Sequence, residues 1–336
     1  MRTEVELFDD VAALAADAGG ALSRASQPRL YDRIDWIALT AAHLPLRPLL
    51  AARARCRAGA AWLFLQAPEA GRAEGFARWY TPAFAPVFAP GTADDAKAAL
   101  LAAIARHLRG RVHRIWLHPC DDRAVALLDG GFGAAGWRAL TTPDTVNWTA
   151  DVRGMNHAGF QARRPGHLRG TLRRKARAGI ACTVHAGFSP GAWRAYEGVY
   201  AESWKPREGA PGFLRALAEQ EGAAGTLRLG LAHHAGRAVA AQLWTVENGR
   251  ATIHKLAHVA DADALSPGTI LTDAMMARAI DGDRVDMIDF GTGDEPYKAG
   301  WMDVARPLRH VELFDVGTIR GRLAHGAALV ARALRR

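Results

Sequence analysis

The sequence has no run of about 18 apolar residues, so no segment is expected to cross a membrane as a helix. Its N-terminal stretch, MRTEVELFDD, is acidic and has no apolar core, which argues against a secretory signal. Cysteine is scarce: Cys56, Cys120 and Cys182 are odd in number, far apart and in no zinc-type spacing. They read as small buried hydrophobes in a reduced, cytoplasmic setting. A Gly-x-Ser-x-Gly elbow is missing, which removes the serine hydrolase reading. The first half holds no clustered nucleophile, base or metal-ligand set, and His113 and His118 read as packed or surface histidines.

Acid is missing between Val152 and Tyr196, where nine basic residues stand. The net charge of +9 is correspondingly uneven, +2 over residues 1–150 and +7 over the rest. Such a block suits an anionic partner: a phosphate-bearing cofactor, a polyanion or a lipid surface. The length of 336 residues suits about two domains, and 49% hydrophobic content is ample for packed cores.

In the first half, Val5 to Ala18 and Leu30 to Leu44 read as helices, and 59–66 and Gly75 to Tyr80 as strands. The proline-rich TPAFAPVFAPG reads as a loop. A helix over Thr92 to Leu108 has Thr92 as its expected cap, and one over Asp121 to Leu128 is expected to stop at Gly130-Gly131. Strands are expected next at Arg114 to His118, Trp137 to Leu140 and Thr145 to Trp148. In the second half, a basic helix over Arg164 to Ala178 precedes a strand at Ile180 to His185. Ser189-Pro190 opens a helix with Trp193, Tyr196, Tyr200 and Trp204 on one face, a stripe that reads first as core. Three strands, Thr226 to Ala232, Arg237 to Val246 and Arg250 to Val259, are joined by Ala235-Gly236 and Asn248-Gly249, so they form an antiparallel meander.

Two stretches carry chemistry. Ser266-Pro267-Gly268-Thr269 opens a helix, with Ser266 as cap, and a helix start can hold phosphate. Asp286 to Trp301, DMIDFGTGDEPYKAGW, is a short strand entering a turn with Gly291 and Gly293, then Asp294, Glu295, Tyr297 and Lys298. A last strand, Leu308 to Phe314, is succeeded by a basic amphipathic helix from Gly317 to Arg336.

This order, with RPGHLRGTLRRKAR, YAESWK, HKLAHVADADALSPGTILTD and IDFGTGDEPYKAGW, resembles the GNAT acyltransferases and, more closely, the FemAB-like branch with its BioF2-like or CelD-like acetyltransferase domains. The resemblance covers roughly 145–315, and the first half resembles a degenerate unit of the same kind. It implies an α/β (α+β) fold of tandem GNAT-like domains, each a mixed, mostly antiparallel sheet flanked by helices. The expected boundaries are 1–150, 151–316 and a C-terminal helix at 317–336.

The resemblance also implies an enzyme that moves an acyl group from acetyl-CoA or another acyl-CoA to an amine or hydroxyl. CoA is expected along Val259, with phosphate near Ser266, Gly268, Thr269 and Ile270. ALSPGT departs from the usual glycine-rich loop in having one glycine and no arginine or glutamine. FemAB-like proteins that draw on aminoacyl-tRNA and act on a cell-wall precursor are therefore an alternative, with Arg163, Arg164, Arg169, Arg173, Arg174, Lys175 and Arg177 neutralising the nucleic acid. A non-catalytic binding protein is the third reading. The candidate base is His254, His258, Asp294 or Glu295, Tyr297 the acid for the leaving thiolate, and Lys298 the oxyanion partner. Lys298→Ala is expected to abolish turnover with stability nearly unchanged. Arg174, Lys175, Trp204, Lys255, Asp289 and Gly291 are the expected substrate contacts, the acceptor being open and an anionic one among the options, and the C-terminal helix is the expected contact with a membrane surface.

Overall fold

The computed structural model describes residues 3–334. The chain forms two compact units, Met1–Thr145 with Pro307–Arg336, and Val146–Arg306. The first holds a four-stranded antiparallel sheet and a further mixed set of strands, the second a mixed, mostly antiparallel sheet, and helices flank both.

The first unit opens with β1 (Glu4–Phe8), α1 (Val11–Ala18), α2 (Ile34–His43), β2 (Leu49–Cys56), β3 (Gly59–Gln66), β4 (Arg72–Glu74) and β5 (Val87–Phe88). It continues with α3 (Asp94–Leu108), β6 (Arg114–Cys120), α4 (Asp122–Ala134) and the first part of β7 (Arg138–Asp151). The single helix expected over Val5 to Ala18 is a strand and then a helix. EVELF alternates, Glu6 pairs with buried Arg53 on β2 at 2.6 Å, and Asp10 caps α1 by accepting from the Ala13 amide at 2.7 Å. No strand forms over Gly75 to Tyr80; the nearest strand, β4, ends at Glu74, and Gly75 makes only an isolated bridge with Leu65.

Thr92 does not cap α3; its hydroxyl donates to the Ala89 carbonyl at 2.8 Å. α4 also runs through Gly130-Gly131 instead of stopping there. Gly131 is a packing glycine: a Cβ there would lie 2.4 Å from Leu101 Cβ on α3, so its lack of a side chain lets the two helices touch. The two short strands expected after it are one 14-residue strand, β7.

The second unit takes the rest of β7, α5 (His157–Ala162), α6 (Gly166–Lys175), β8 (Ile180–His185), α7 (Pro190–Ala201) and α8 (Pro211–Ala223). The meander comes next as β9 (Leu227–His234), β10 (Arg237–Glu247) and β11 (Arg250–His258). Then come α9 (Pro267–Ala277), β12 (Met287–Thr292), α10 (Pro296–Trp301) and the first residues of β13 (Val304–Phe314). Its strands lie in the order β7-β12-β11-β10-β9-β8, with only β11 and β12 parallel. Trp193 and Tyr196 of α7 are buried, as the stripe required, and α7 packs on β10. On the other side α9 seats against β9, where a Cβ on Gly230 would meet Met275 Sδ at 2.5 Å.

The rest of β13 pairs antiparallel with β6 in the first unit, and the C-terminal helix α11 (Ile319–Ala333) comes after it there. Ile319, Leu323, Leu329, Val330 and Leu334 are exposed along α11. Arg335 and Arg336 of the expected tail lie outside the described residues. No helix among those described is long and apolar enough to cross a membrane.

Candidate active site

Strands β11 and β12 pair for three residues only, Arg250 with Met287, Ala251 with Ile288 and Thr252 with Asp289. Beyond that point they share no pairing. Gly291 has a φ of 72°, and the Asp289 carboxylate accepts from its amide at 3.0 Å. Asp289 is also tied to Arg250 at 3.0 Å. These two bonds fold the turn that leads β12 away and engage the carboxylate that was expected to contact substrate. A register shift in β10 between Leu243 and Trp244 leaves His254 of β11 opposite no partner of its own, a bulge beside the parting.

The turn after β12 is held by Lys298. This lysine is 4% exposed; its ammonium donates to the Thr292 carbonyl and lies 2.8 Å from Glu295. Gly293 has a φ of 113°, and a Cβ there would run into Glu295 and Lys298, so only glycine permits the closure. Lys298 thus builds the turn as well as charging it, so its removal is now expected to cost stability. Tyr297 stacks edge-on against Phe290 with ring centroids 5.8 Å apart. Desolvation and the Glu295 carboxylate push its hydroxyl upward, so it carries its proton at neutral pH. Asp294 is exposed beside them.

Facing this turn is Lys205, the last residue of YAESWK, which was not among the expected site residues. Desolvation lowers the Lys205 ammonium to about 8, helped by the charges of Lys255 and Lys298 and opposed by Glu295 and Glu208. Lys255 pairs with Glu208 at 2.8 Å and sits over the Tyr200 ring at 5.7 Å. An isolated bridge between Ser203 and Val259 ties the end of α7 to the end of β11. Trp204 is 64% exposed at the rim. Next to it opens a pocket of 440 Å³, lined by Tyr196, Glu197, Tyr200, Lys205, Glu208 and Leu214 among others. YAESWK and the aromatic stripe were the available signals. The lowered lysine was invisible, because its neighbours come from β11 and the turn after β12.

The histidines divide. His254 bonds Thr245 Oγ1 at 2.9 Å, and desolvation holds it down to about 4. Held neutral and bonded to Thr245, it is a weaker candidate for the base than the sequence suggested. His258 pairs with Asp263 at 3.2 Å and lies against the start of α9, where a Cβ on Gly268 would come within 3.2 Å of its Nδ1. Ser266 does not cap α9: its φ is 56° and its side chain makes no cap hydrogen bond. Its carbonyl instead accepts from the Thr269 and Ile270 amides at 3.1 and 3.2 Å. That leaves the Gly268 amide and the Ser266 hydroxyl as the free donors of this turn among the described residues. A buried network, Trp244 to Gln242 at 2.8 Å, Gln242 to Thr272 at 2.7 Å and Thr272 to the Gly268 carbonyl at 2.8 Å, fixes the turn from beneath.

The basic segment is also divided. Arg164 is buried, donating to the Trp301 carbonyl and to Asp303 at 2.6 Å, so it is not a ligand cation. Lys175 donates to the Ala264 carbonyl at 2.6 Å, tying α6 to the loop before α9. Arg163, Arg169, Arg173, Arg174 and Arg177 remain exposed, with Arg174 touching Thr171 at 3.0 Å.

Residues 163–299 match the family model of the acetyltransferase (GNAT) domain. No curated protein matches the chain in sequence. Among solved structures, FemX is 11% identical with a TM-score of 0.62, covering 92% of this chain and 97% of that one. The C-terminal (DUF2156) domain assigned to lysylphosphatidylglycerol synthetase in Agrobacterium fabrum is 15% identical, with a TM-score of 0.60 and coverage of 96% and 97%. A tandem GNAT protein from the clavulanic acid biosynthesis pathway is 15% identical, with a TM-score of 0.53 and coverage of 92% and 98%. Identities this low show the fold, and the fold is the tandem GNAT arrangement.

Proposed function

We propose that the second unit, a GNAT-type domain by its family match, moves an acyl group from acyl-CoA to an amine-bearing acceptor. One observation carries the reading. β11 and β12 part after Thr252 and Asp289, between a helix start with two free donors and a turn locked by a buried lysine. The parted strand edge offers β11 backbone groups to an extended donor, and Ser266 with Gly268 suits its phosphate. The fit is narrower than a glycine-rich loop supplies, because Ser266 has already taken two of the amides.

In this reading the acceptor enters by the pocket beside Tyr200, where Glu197, Glu208 and aromatic rings suit an ammonium group. Lys205, lowered to about 8, takes the proton from the acceptor amine. The amine nitrogen bonds to the thioester carbonyl carbon, the carbon–sulfur bond breaks, and Tyr297 gives its proton to the departing sulfur. Lys298 lends positive charge to the carbonyl oxygen. Free CoA release with a panel of amines tests the proposal, and a panel with no release at any pH would defeat it.

One observation favours a second donor. The five exposed arginines of the α5–α6 segment suit the phosphates of an aminoacyl-tRNA. Tight tRNA binding lost as salt rises, with no CoA-induced shift in melting, would put that reading first. The setting we propose is cytoplasmic, with α11 against anionic lipid; vesicle sedimentation of the full chain checks it.

A further inference from the structure

Outside this site, the described residues contain one group of three side chains whose donor atoms converge within 4.8 Å: His118, Asp144 and His310. They come from β6, β7 and β13, all within the first unit. His310 Nε2 lies 3.0 Å from Asp144 Oδ1, and His118 Nδ1 lies 3.6 Å from Asp144 Oδ2. The two imidazoles stand beside each other with centroids 4.6 Å apart, and Trp116 packs on both at 5.6 and 5.5 Å. An ion with nitrogen and oxygen ligands at about 2.0–2.1 Å in tetrahedral geometry separates its donors by roughly 3.3 Å. The two measured separations, one to each oxygen of Asp144, fall on either side of that value, and the set of donor atoms spans no more than 4.8 Å.

We infer that His118, Asp144 and His310 form a site for a divalent transition-metal ion of the zinc class. Two imidazoles and one carboxylate are the donor set such ions prefer over magnesium or calcium, which take oxygen ligands. Three protein donors leave at least one position open, and the His118 side chain is 49% exposed, so an ion has a path in from solvent. Bound there, the ion fastens β13 to β6 and β7, strands far apart in the chain. The returning C-terminal strand would then be joined to the first unit by a metal link in addition to its backbone pairing.

The test uses the full chain without a histidine tag, stripped with chelator and titrated with Co2+ and then Zn2+. A saturable one-to-one Co2+ spectrum with visible d–d bands is expected, abolished by His118→Ala and by His310→Ala and weakened by Asp144→Asn. Zn2+ at a hundred times its dissociation constant should raise the unfolding midpoint of the wild type by about 5 °C and leave the His118→Ala midpoint unmoved. Should His310→Ala fail to fold, the exposed His118 position still decides the matter. Absence of a saturable Co2+ spectrum in the wild type overturns the inference, and so does a spectrum that survives His118→Ala.

Discussion

Both units pair two strands in parallel for three residues, and they differ in where the chain goes beyond that pair. In the first, Arg72 to Glu74 pair with Arg114 to Trp116; in the second, Arg250 to Thr252 pair with Met287 to Asp289. After the first pair the chain fills the space. Phe76 and Phe84 are buried, the Phe84 amide donates to the Pro119 carbonyl at 2.7 Å, and the Phe84 ring takes the place a Cβ on Gly75 would need. After the second pair β11 continues to His258 without β12, paired only with β10 and facing a turn with Lys298 and a segment with Lys205. The same architecture is thus plugged with aromatics in one copy and lined with ionisable groups in the other. In the proposed reading, fold alone does not decide which copy carries chemistry; the loop after the parallel pair does.

The sharpest way to break the contrast is at Lys298. Lys298→Met should lower turnover by about 10³-fold, because it removes both the charge on the carbonyl oxygen and the tie that holds the turn. It should also lower the melting temperature by a few degrees, since Glu295 and the Thr292 carbonyl lose their partner. Full activity in a folded variant would remove Lys298 from the chemistry.

A smaller effect is expected at Lys205, roughly 10²-fold in turnover for Lys205→Met. The wild-type rate should rise as pH passes about 8, and the variant should lose that limb. Stability should move the same way. The folded chain releases this proton near 8 and the unfolded chain near the usual lysine value. The unfolded state therefore holds more protons between those values, and stability attributable to Lys205 rises with pH across that window. At neutral pH the charge is a burden, so Lys205→Met should melt higher than the wild type.

Gly268→Asp tests the helix start. A carboxylate beside the Gly268 amide should cancel any rise in melting temperature that acetyl-CoA gives the wild type. An unchanged rise would move the phosphate elsewhere.

The smallest expected change in rate comes from the first unit. Phe84→Ala should cost about 3 kcal/mol in urea unfolding and leave the rate per folded molecule untouched. A loss of rate would mean that the plugged copy contributes to catalysis.

Much of the second unit was legible because its signals are local. Asn248-Gly249 gave the hairpin, Ser189-Pro190 the helix start, and Gly291 and Gly293 the turn. The errors came where distant contacts override local preference. Gly130 and Gly131 looked like a stop, yet the helix continues because α3 needs a bare surface at Gly131. Ser266 looked like a cap, yet its backbone is left-handed and its carbonyl does the work. Arg164 looked like part of a ligand-facing charge block and is committed to Trp301 and Asp303. Lys205 is lowered first by burial and then by the charges of Lys255 and Lys298, brought to it from distant parts of the chain, a relation no local pattern encodes.

Backbone hydrogen exchange with and without acetyl-CoA tests the contrast between the two copies most directly. Slowed exchange is expected over 253–270 and 289–298, with no change over 72–120. Protection confined to the first unit, or none in either unit while tRNA slows exchange along α6, would contradict it.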